Sequence, residues 1–180
     1  CCTARRLSTM VYHSSWNEAQ CRELCNMSIL PLKTKFKGPA QPLKEDRPDI
    51  IDETLDFWKA NVLFRNYEIK GPADRVLLYL TYYTKQCLQK IERCSRGEAE
   101  KELYQLAIQN FSIPGDRNFV FGGFFHNPKG RSEADTCRAY FTQMHQELGQ
   151  RLIARVYSAG DQAPSKWWMC FNKRKFMNLA

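Results

Sequence analysis

Apolar residues recur at helical spacing from position 49 onwards. Ile51, Leu55, Trp58 and Val62 are separated by four, three and four residues, which places them on one face of an α-helix. Acidic residues occupy the start of this segment, where the helix dipole favours negative charge. The pattern predicts an amphipathic helix that ends near residues 64–66, with Trp58 as a core anchor.

The next apolar run predicts a helix at the centre of the domain. Pro72 suits the first turn of a helix, and residues 76–83, VLLYLTYY, are apolar or aromatic at all but one position. A β-strand is the competing interpretation, but helical spacing continues beyond strand length, to about residue 94. Such a helix must be enclosed by other elements, with Leu77 and Leu80 as core anchors. It is too short for a membrane span, because only nine residues separate its flanking charges and about twenty are needed.

Three further helices are predicted downstream. They cover about residues 98–110, residues 132–157 with Ser132 in a capping box, and a short final segment that starts after Ser165. By contrast, residues 28–48 contain four prolines and a glycine, which disfavour both helices and central strands. The sequence therefore predicts an all-α fold of about five helices with no convincing sheet.

The same patterns divide the chain into segments. Residues 1–9 are expected to be upstream sequence or an unprocessed remnant, with Met10 as the natural start. Residues 10–48 form an extended N-terminal segment and residues 49–180 a helical domain. Since 180 residues suit one core, residues 10–180 are expected to be one structural unit.

The loop at residues 111–130 contains five phenylalanines, which is unusual for a connecting segment. Long loops in compact domains tend to be functional or irregularly packed. We expect Phe119, Phe121, Phe124 and Phe125 to pack under the domain, and contact with a partner is the alternative.

The net charge of the chain indicates which partners it could bind rather than how it folds. The chain has 27 basic and 19 acidic side chains, a net charge of +8, which favours acidic partners such as nucleic acid, anionic lipid or an acidic protein. A uniformly solvated basic surface is the alternative. The densest clusters supply the candidate partner-binding residues, which are Lys33, Lys35, Phe36, Lys37, Lys166, Lys173, Arg174 and Lys175.

The sequence contains no recognised motif of an enzyme active site. There is no phosphate-binding loop, nucleophile elbow, zinc-protease motif or dinucleotide fingerprint. The three histidines are far apart, and His145 is expected at the surface or rim. Asp49, Asp52, Glu53 and Asp56 are interpreted as solvated acids of a first helical turn. We predict no enzyme activity and no cofactor.

Eight cysteines could suggest disulfides or a metal site. They are scattered over a chain that is too large to need disulfides for stability, so reduced thiols in an intracellular protein are expected. Cys21 and Cys25 lack the neighbouring ligands of a zinc site, and no bound metal is predicted.

Residues 165–178, SKWWMCFNKRKFMN, combine aromatic and basic side chains without any acid. Such a composition fits nucleic-acid binding and protein docking alike. We expect Trp167, Trp168 and Phe171 to close the helical core, because helical spacing places them on one face. The alternation of Trp167, Met169 and Phe171 fits a β-strand equally well. The basic residues that follow would then face an acidic neighbour.

Several long blocks of the sequence carry a family resemblance. They are YHSS (12–15), LPLKTKFKGPA (30–40), DIIDE (49–53), FWKANVLFRNYEIKGPADR (57–75), NFSIPG (110–115) and PSKWWMCFNKRKFMN (164–178). In this order the blocks resemble the 21 kDa subunit of the actin-related protein 2/3 complex. Departures from the family pattern concentrate at residues 93–97 and 119–131.

The resemblance implies an all-helical, non-catalytic subunit of a seven-subunit assembly that nucleates branched actin filaments. It implies binding to the larger actin-related protein and to other subunits, at the branch junction with the actin filament. Cytoplasmic localisation at the actin cytoskeleton follows, without nucleotide, nucleic acid or membrane span.

Two other classes of function compete with this hypothesis. One is an autonomous basic module that binds RNA or phosphoinositide, which predicts binding that weakens steeply with salt. The other is a cysteine-dependent enzyme, which predicts one unusually acidic thiol.

Overall fold

A computed structural model describes residues 11–158, 160, 162–174 and 176–178 of the chain. Within these residues the fold is almost entirely helical, which confirms the predicted class. Residues 1–9 and Lys175 lie outside the described residues. The α-helices are α1 (Ile50–Asn61), α2 (Pro72–Lys90), α3 (Arg96–Ile108), α4 (Arg131–Val156) and α5 (Lys166–Met169). Two 3₁₀ helices, Ser15–Glu18 and Phe176–Asn178, lie near the ends of the described chain.

Helix α2 is the centre of the domain, as its apolar run predicts. It packs against α1, α3, α4 and the first 3₁₀ helix. Leu77 and Leu80 are fully buried. Tyr79 stacks on Phe141 of α4 with ring centroids 4.2 Å apart. Trp58 of α1 is also fully buried and donates its indole N–H to the Thr81 carbonyl at 3.1 Å, which satisfies the one polar atom of the side chain.

The start of the described chain is fixed to α1 and α2 by two buried carboxylates. Asp74 accepts the backbone N–H of Ser14 at 2.8 Å and lies 2.7 Å from His13 Nδ1. Glu53 accepts the Ser14 hydroxyl at 2.8 Å. Because a buried carboxylate is costly unless it is hydrogen-bonded, these contacts fix the course of this segment.

A small antiparallel sheet was missed by the sequence pattern. Strands β1 (Glu23–Leu24) and β2 (Met27–Ser28) pair through Glu23 with Ser28 and Leu24 with Met27. Cys25 and Asn26 make the turn between them at φ of 50° and 54°. Two consecutive positive φ values are typical of a tight hairpin turn, and two-residue strands are too short to show a period.

Helix α4 begins earlier than predicted. Gly130 is its N-cap and Arg131 its first residue, with no side-chain cap, so the predicted capping box at Ser132 is wrong. At α1, by contrast, Asp49 accepts the N–H groups of Ile51 and Asp52 at 3.1 and 3.0 Å, as expected of an acidic N-cap.

The phenylalanine-rich loop packs mostly inwards, as expected. Phe119, Phe121 and Phe125 are buried, whereas Phe124 is 38% exposed. His145 was predicted at the surface or rim, and that prediction is wrong. Its ring is 1% exposed.

Aromatic rings enclose His145 in the interior. It stacks on Tyr83 with centroids 3.7 Å apart, and its Nε2 lies 2.8 Å from the Tyr79 hydroxyl. Burial lowers the pKa of His145 to about 3, because the apolar surroundings disfavour the charged ring.

No helix in the described part of the chain is both long enough and apolar enough to cross a membrane.

Candidate protein interface

Residues 33–40, which we call the basic loop, leave and rejoin the domain at one place. Leu32 is fully buried and donates its N–H to the Gln41 carbonyl at 3.0 Å. The Leu32 carbonyl in turn accepts the N–H of Leu43 at 2.9 Å. The two ends of the loop are therefore held together by backbone hydrogen bonds, despite the prolines.

The buried side-chain amide of Gln143, on α4, holds residues 36–40 of the basic loop. Gln143 is 1% exposed. Its Oε1 accepts the Ala40 N–H at 2.9 Å, and its Nε2 donates to the carbonyls of Phe36 at 2.9 Å and Ala40 at 3.3 Å. A Cβ placed on Gly38 would lie 2.3 Å from Gln143 Oε1, so glycine permits this close approach. The loop is consequently fixed by side-chain contacts rather than by regular secondary structure.

Arg151 of α4 fixes the start of the basic loop, at Lys33. Its guanidinium donates to the two oxygens of Asp49 at 2.7 and 2.8 Å, to Asp52 at 2.9 Å and to Glu147 at 2.7 Å. It also donates to the Lys33 carbonyl, while the Lys33 N–H donates to Asp49 at 2.8 Å. One residue thereby joins the loop, α1 and α4.

The carboxylates around Arg151 change the pKa of its guanidinium. Burial alone would lower the pKa of Arg151, but the hydrogen bonds and charge of Asp49, with those of Glu147, raise it above its ordinary value.

The interpretation of the α1 acids as solvated is wrong for two of them. Asp49 is fully buried and Glu53 is 6% exposed, and both are held by hydrogen bonds.

The loop displays its lysines to solvent. Lys33, Lys35 and Lys37 are exposed, whereas Phe36 is half-buried. Within the described part of the chain Lys35 and Lys37 form no ion pair, and Lys33 has only a distant contact, 3.9 Å, with the exposed Asp46. A fixed loop with unpaired charges is suited to binding an acidic surface, because little order is lost on association.

The second candidate surface is the C-terminal segment, residues 165–174. Trp168 is 7% exposed and stacks on Trp58, with ring centroids 5.6 Å apart. Phe171 is half-buried and meets Trp58 edge-on at 6.4 Å. Lys59 Nζ lies 4.9 Å from the centre of the Trp168 ring, within the range of a cation–π contact. Trp168 and Phe171 therefore attach the segment to α1.

Trp167 is not part of this attachment, so its predicted role as a core anchor is wrong. Its side chain is 76% exposed, because the short helix α5 turns the neighbouring Trp168 towards α1 instead. Lys166, Lys173 and Arg174 are also exposed and form no ion pair within the described residues. The prediction for Lys175 falls outside those residues.

The described residues do not form a metal site or an activated cysteine nucleophile. No group of three or more histidine, cysteine, aspartate or glutamate side chains is placed there to hold a metal ion. Burial raises the pKa of Cys87 to about 12 and also raises the pKa of Cys21, Cys25, Cys94 and Cys137. An activated cysteine nucleophile requires the opposite shift.

Comparison with known proteins gives a consistent result over nearly the whole chain. A family model described as the ARP2/3 complex ARPC3 (21 kDa) subunit, P21-Arc, matches residues 9–180. The chain is 51% identical over 173 residues to the actin-related protein 2/3 complex subunit 3 of Dictyostelium discoideum, covering 95% of this chain and 99% of that protein. Subunit 3 of Schizosaccharomyces pombe is 46% identical, covering 94% of this chain and 98% of that protein. Subunit 3 of Arabidopsis thaliana is 41% identical, with the same coverage.

The chain therefore belongs to the family of the 21 kDa subunit of the ARP2/3 complex. The resemblance seen in the sequence blocks is confirmed. The alternative of a basic RNA- or phosphoinositide-binding module finds no support among these relatives.

Proposed function

We propose that this chain is a non-catalytic structural subunit of an actin-related protein 2/3 complex, the assembly that nucleates branched actin filaments. The observation that carries the proposal is similarity along nearly the full length of both chains, with 51% identity and 99% coverage of the Dictyostelium subunit. The family model spans residues 9–180, a range that contains the basic loop and the C-terminal segment together with the core.

The proposed mechanism is geometric. Actin nucleation is limited by formation of the first stable oligomer, and an assembly that holds two actin-like subunits side by side supplies that oligomer in advance. We infer that this chain binds the larger actin-related protein, near the branch junction with the actin filament, and helps to fix its position. Its place of action is the cytoplasm, at the actin cytoskeleton.

Two surfaces are proposed to make the contacts. The first consists of Lys33, Lys35 and Lys37 of the basic loop, with the half-buried Phe36 between them. Lys166, Lys173, Arg174 and Lys175 form the second. Exposed lysines such as Lys35 and Lys37 on a fixed backbone support fast association with an acidic protein surface and correct orientation on it. The loop geometry that Gln143 and Arg151 impose supports this assignment, because a preformed loop loses little entropy on binding.

The test is a tagged pull-down from cells that contain the natural partners. The proposal expects two actin-related proteins and a seven-bladed β-propeller subunit to be recovered with the chain in equal amounts, at physiological salt. Recovery of the chain alone, or with RNA that dissociates steeply as salt rises, would contradict it.

A further inference from the structure

Two adjacent tryptophans of the C-terminal segment have opposite environments. Trp168 is 7% exposed and Trp167 is 76% exposed. The position of Trp167 is nevertheless well defined, because Trp168 stacks on Trp58 and the Ser165 N–H donates to the Val156 carbonyl at 3.0 Å. Trp167 is thus a large apolar side chain held outwards on a fixed base.

An exposed tryptophan on an ordered backbone is suited to binding another molecule. Covering such a ring removes on the order of 150–250 Å² from water, and tryptophan is among the residues most enriched at the energetic centre of protein interfaces. Its backbone is already ordered by Trp168, so binding would not have to immobilise a flexible tail. These properties suit an anchor that enters a pocket on another molecule.

The surroundings of Trp167 define the kind of partner. Lys166, Lys173 and Arg174 are exposed and form no ion pair within the described residues, and residues 165–178 contain no acid. Because these basic residues lie within seven positions of Trp167 along the chain, we expect a surface that covers Trp167 to meet several positive charges. Carboxylates around an apolar pocket meet this requirement.

A protein partner fits better than a lipid or nucleic-acid partner. An interfacial membrane helix needs a continuous apolar face, whereas Trp168 and Phe171 are turned onto α1. Binding of single-stranded nucleic acid relies on several stacking rings, and in the described C-terminal segment only Trp167 has an aromatic ring that is mostly exposed.

We propose that Trp167 anchors the C-terminal segment in an apolar pocket, rimmed by carboxylates, on a neighbouring protein subunit. This inference rests on the proposed function and adds to it the residue at the centre of the contact and the chemistry of the surface that receives it. Lys166, Lys173 and Arg174 orient the segment, and Trp167 supplies the buried area.

The experiment compares Trp167→Ala with wild type in the full chain. Each variant competes with differently tagged wild type for entry into the complex in cells. We expect Trp167→Ala to enter about thirtyfold less well, the loss expected of an interface hot spot, and to keep the wild-type unfolding temperature. Tyr104→Ala is the matched control, because this aromatic side chain is 57% exposed on a different helix, and it should compete like wild type.

A second measurement uses the unmodified chain. Hydroxyl-radical footprinting should oxidise Trp167 readily in the free chain and protect it in the complex, while Trp168 is protected in both. Equal oxidation of Trp167 in the two states, or unimpaired entry of Trp167→Ala, would overturn the inference.

The outcomes separate this inference from the proposed function. If wild type does not recover the actin-related proteins, the proposed function itself fails. If wild type assembles and Trp167→Ala assembles equally well, only the role of Trp167 fails. Binding to vesicles that contain phosphatidylserine, or to single-stranded RNA, that is lost in Trp167→Ala while assembly is unchanged would also overturn the inference.

Discussion

Replacing Arg151 with methionine should destabilise the protein more than any single change at an exposed ion pair. The substitution removes a guanidinium that is 17% exposed while it keeps an apolar stem of similar length. It leaves Asp49, a fully buried carboxylate, without its charged partner. Removing one member of a buried ion pair typically costs 3–5 kcal/mol.

The structure places the expected cost at the lower end of that range. Asp49 still accepts the backbone N–H groups of Lys33, Ile51 and Asp52 in the variant, so part of its hydrogen bonding survives. We therefore expect a loss of about 3 kcal/mol in the free energy of unfolding. For a domain of this size, that corresponds to a fall of about 6–12 °C in Tm.

The assay is thermal and urea unfolding followed by circular dichroism, with Arg155→Met as the matched control. Arg155 lies one turn further along α4 and pairs with Asp56, whose side chain is 53% exposed, with a more distant contact of 3.9 Å to Asp52. Such a surface pair contributes about 0–1 kcal/mol. If Arg151→Met were no more destabilising than Arg155→Met, the account of Asp49 as a buried charge that depends on Arg151 would be refuted.

Three further predictions test separate parts of the structure. Between pH 7.5 and 5 the chain should lose about 2 kcal/mol of stability through His145, because its pKa of about 3 in the fold is below the unfolded value of about 6.5 and protons bind preferentially to the unfolded state; His145→Gln should flatten this slope in urea titrations, and an unchanged slope would contradict the burial of a neutral His145. Trp168→Ala should lower stability by about 3–5 kcal/mol in the same unfolding assay, and a loss below about 1 kcal/mol would contradict its role in attaching the C-terminal segment. Gln143→Ala should speed hydrogen exchange at the Ala40 amide, which donates to Gln143 Oε1; unchanged exchange there would contradict the role of Gln143 in fixing the basic loop.

The helices were predictable because burial imposes a period on the sequence. Ile51, Leu55 and Trp58 repeat at helical spacing and are all buried, and the unbroken apolar run of α2 reflects its position among the other helices. The β1–β2 hairpin could not be found in the same way. Its turn residues, Cys25 and Asn26, do not form one of the dipeptides that usually mark such turns.

His145 could have been placed correctly from spacing alone. Phe141, His145, Leu148 and Leu152 lie four, three and four residues apart, and all four are buried. A neutral imidazole is readily buried when a partner such as the Tyr79 hydroxyl is available.

The candidate interface was predictable in composition but not in geometry. The basic clusters are visible in the sequence, whereas their support comes from residues more than a hundred positions away. Gln143 reaches the carbonyl of Phe36, and Arg151 reaches that of Lys33. Spacing also failed at Trp167, because a helix of four residues does not have a full apolar face.

The most direct test of the central claim is branched actin nucleation by a complex prepared without this chain and then supplied with it. Branches are counted by fluorescence microscopy at fixed concentrations of actin and activator. We expect the depleted complex to form fewer branches and addition of the chain to restore them, with the chain retained in the complex. Full branching activity of the depleted complex, with no retention of the added chain, would contradict the account.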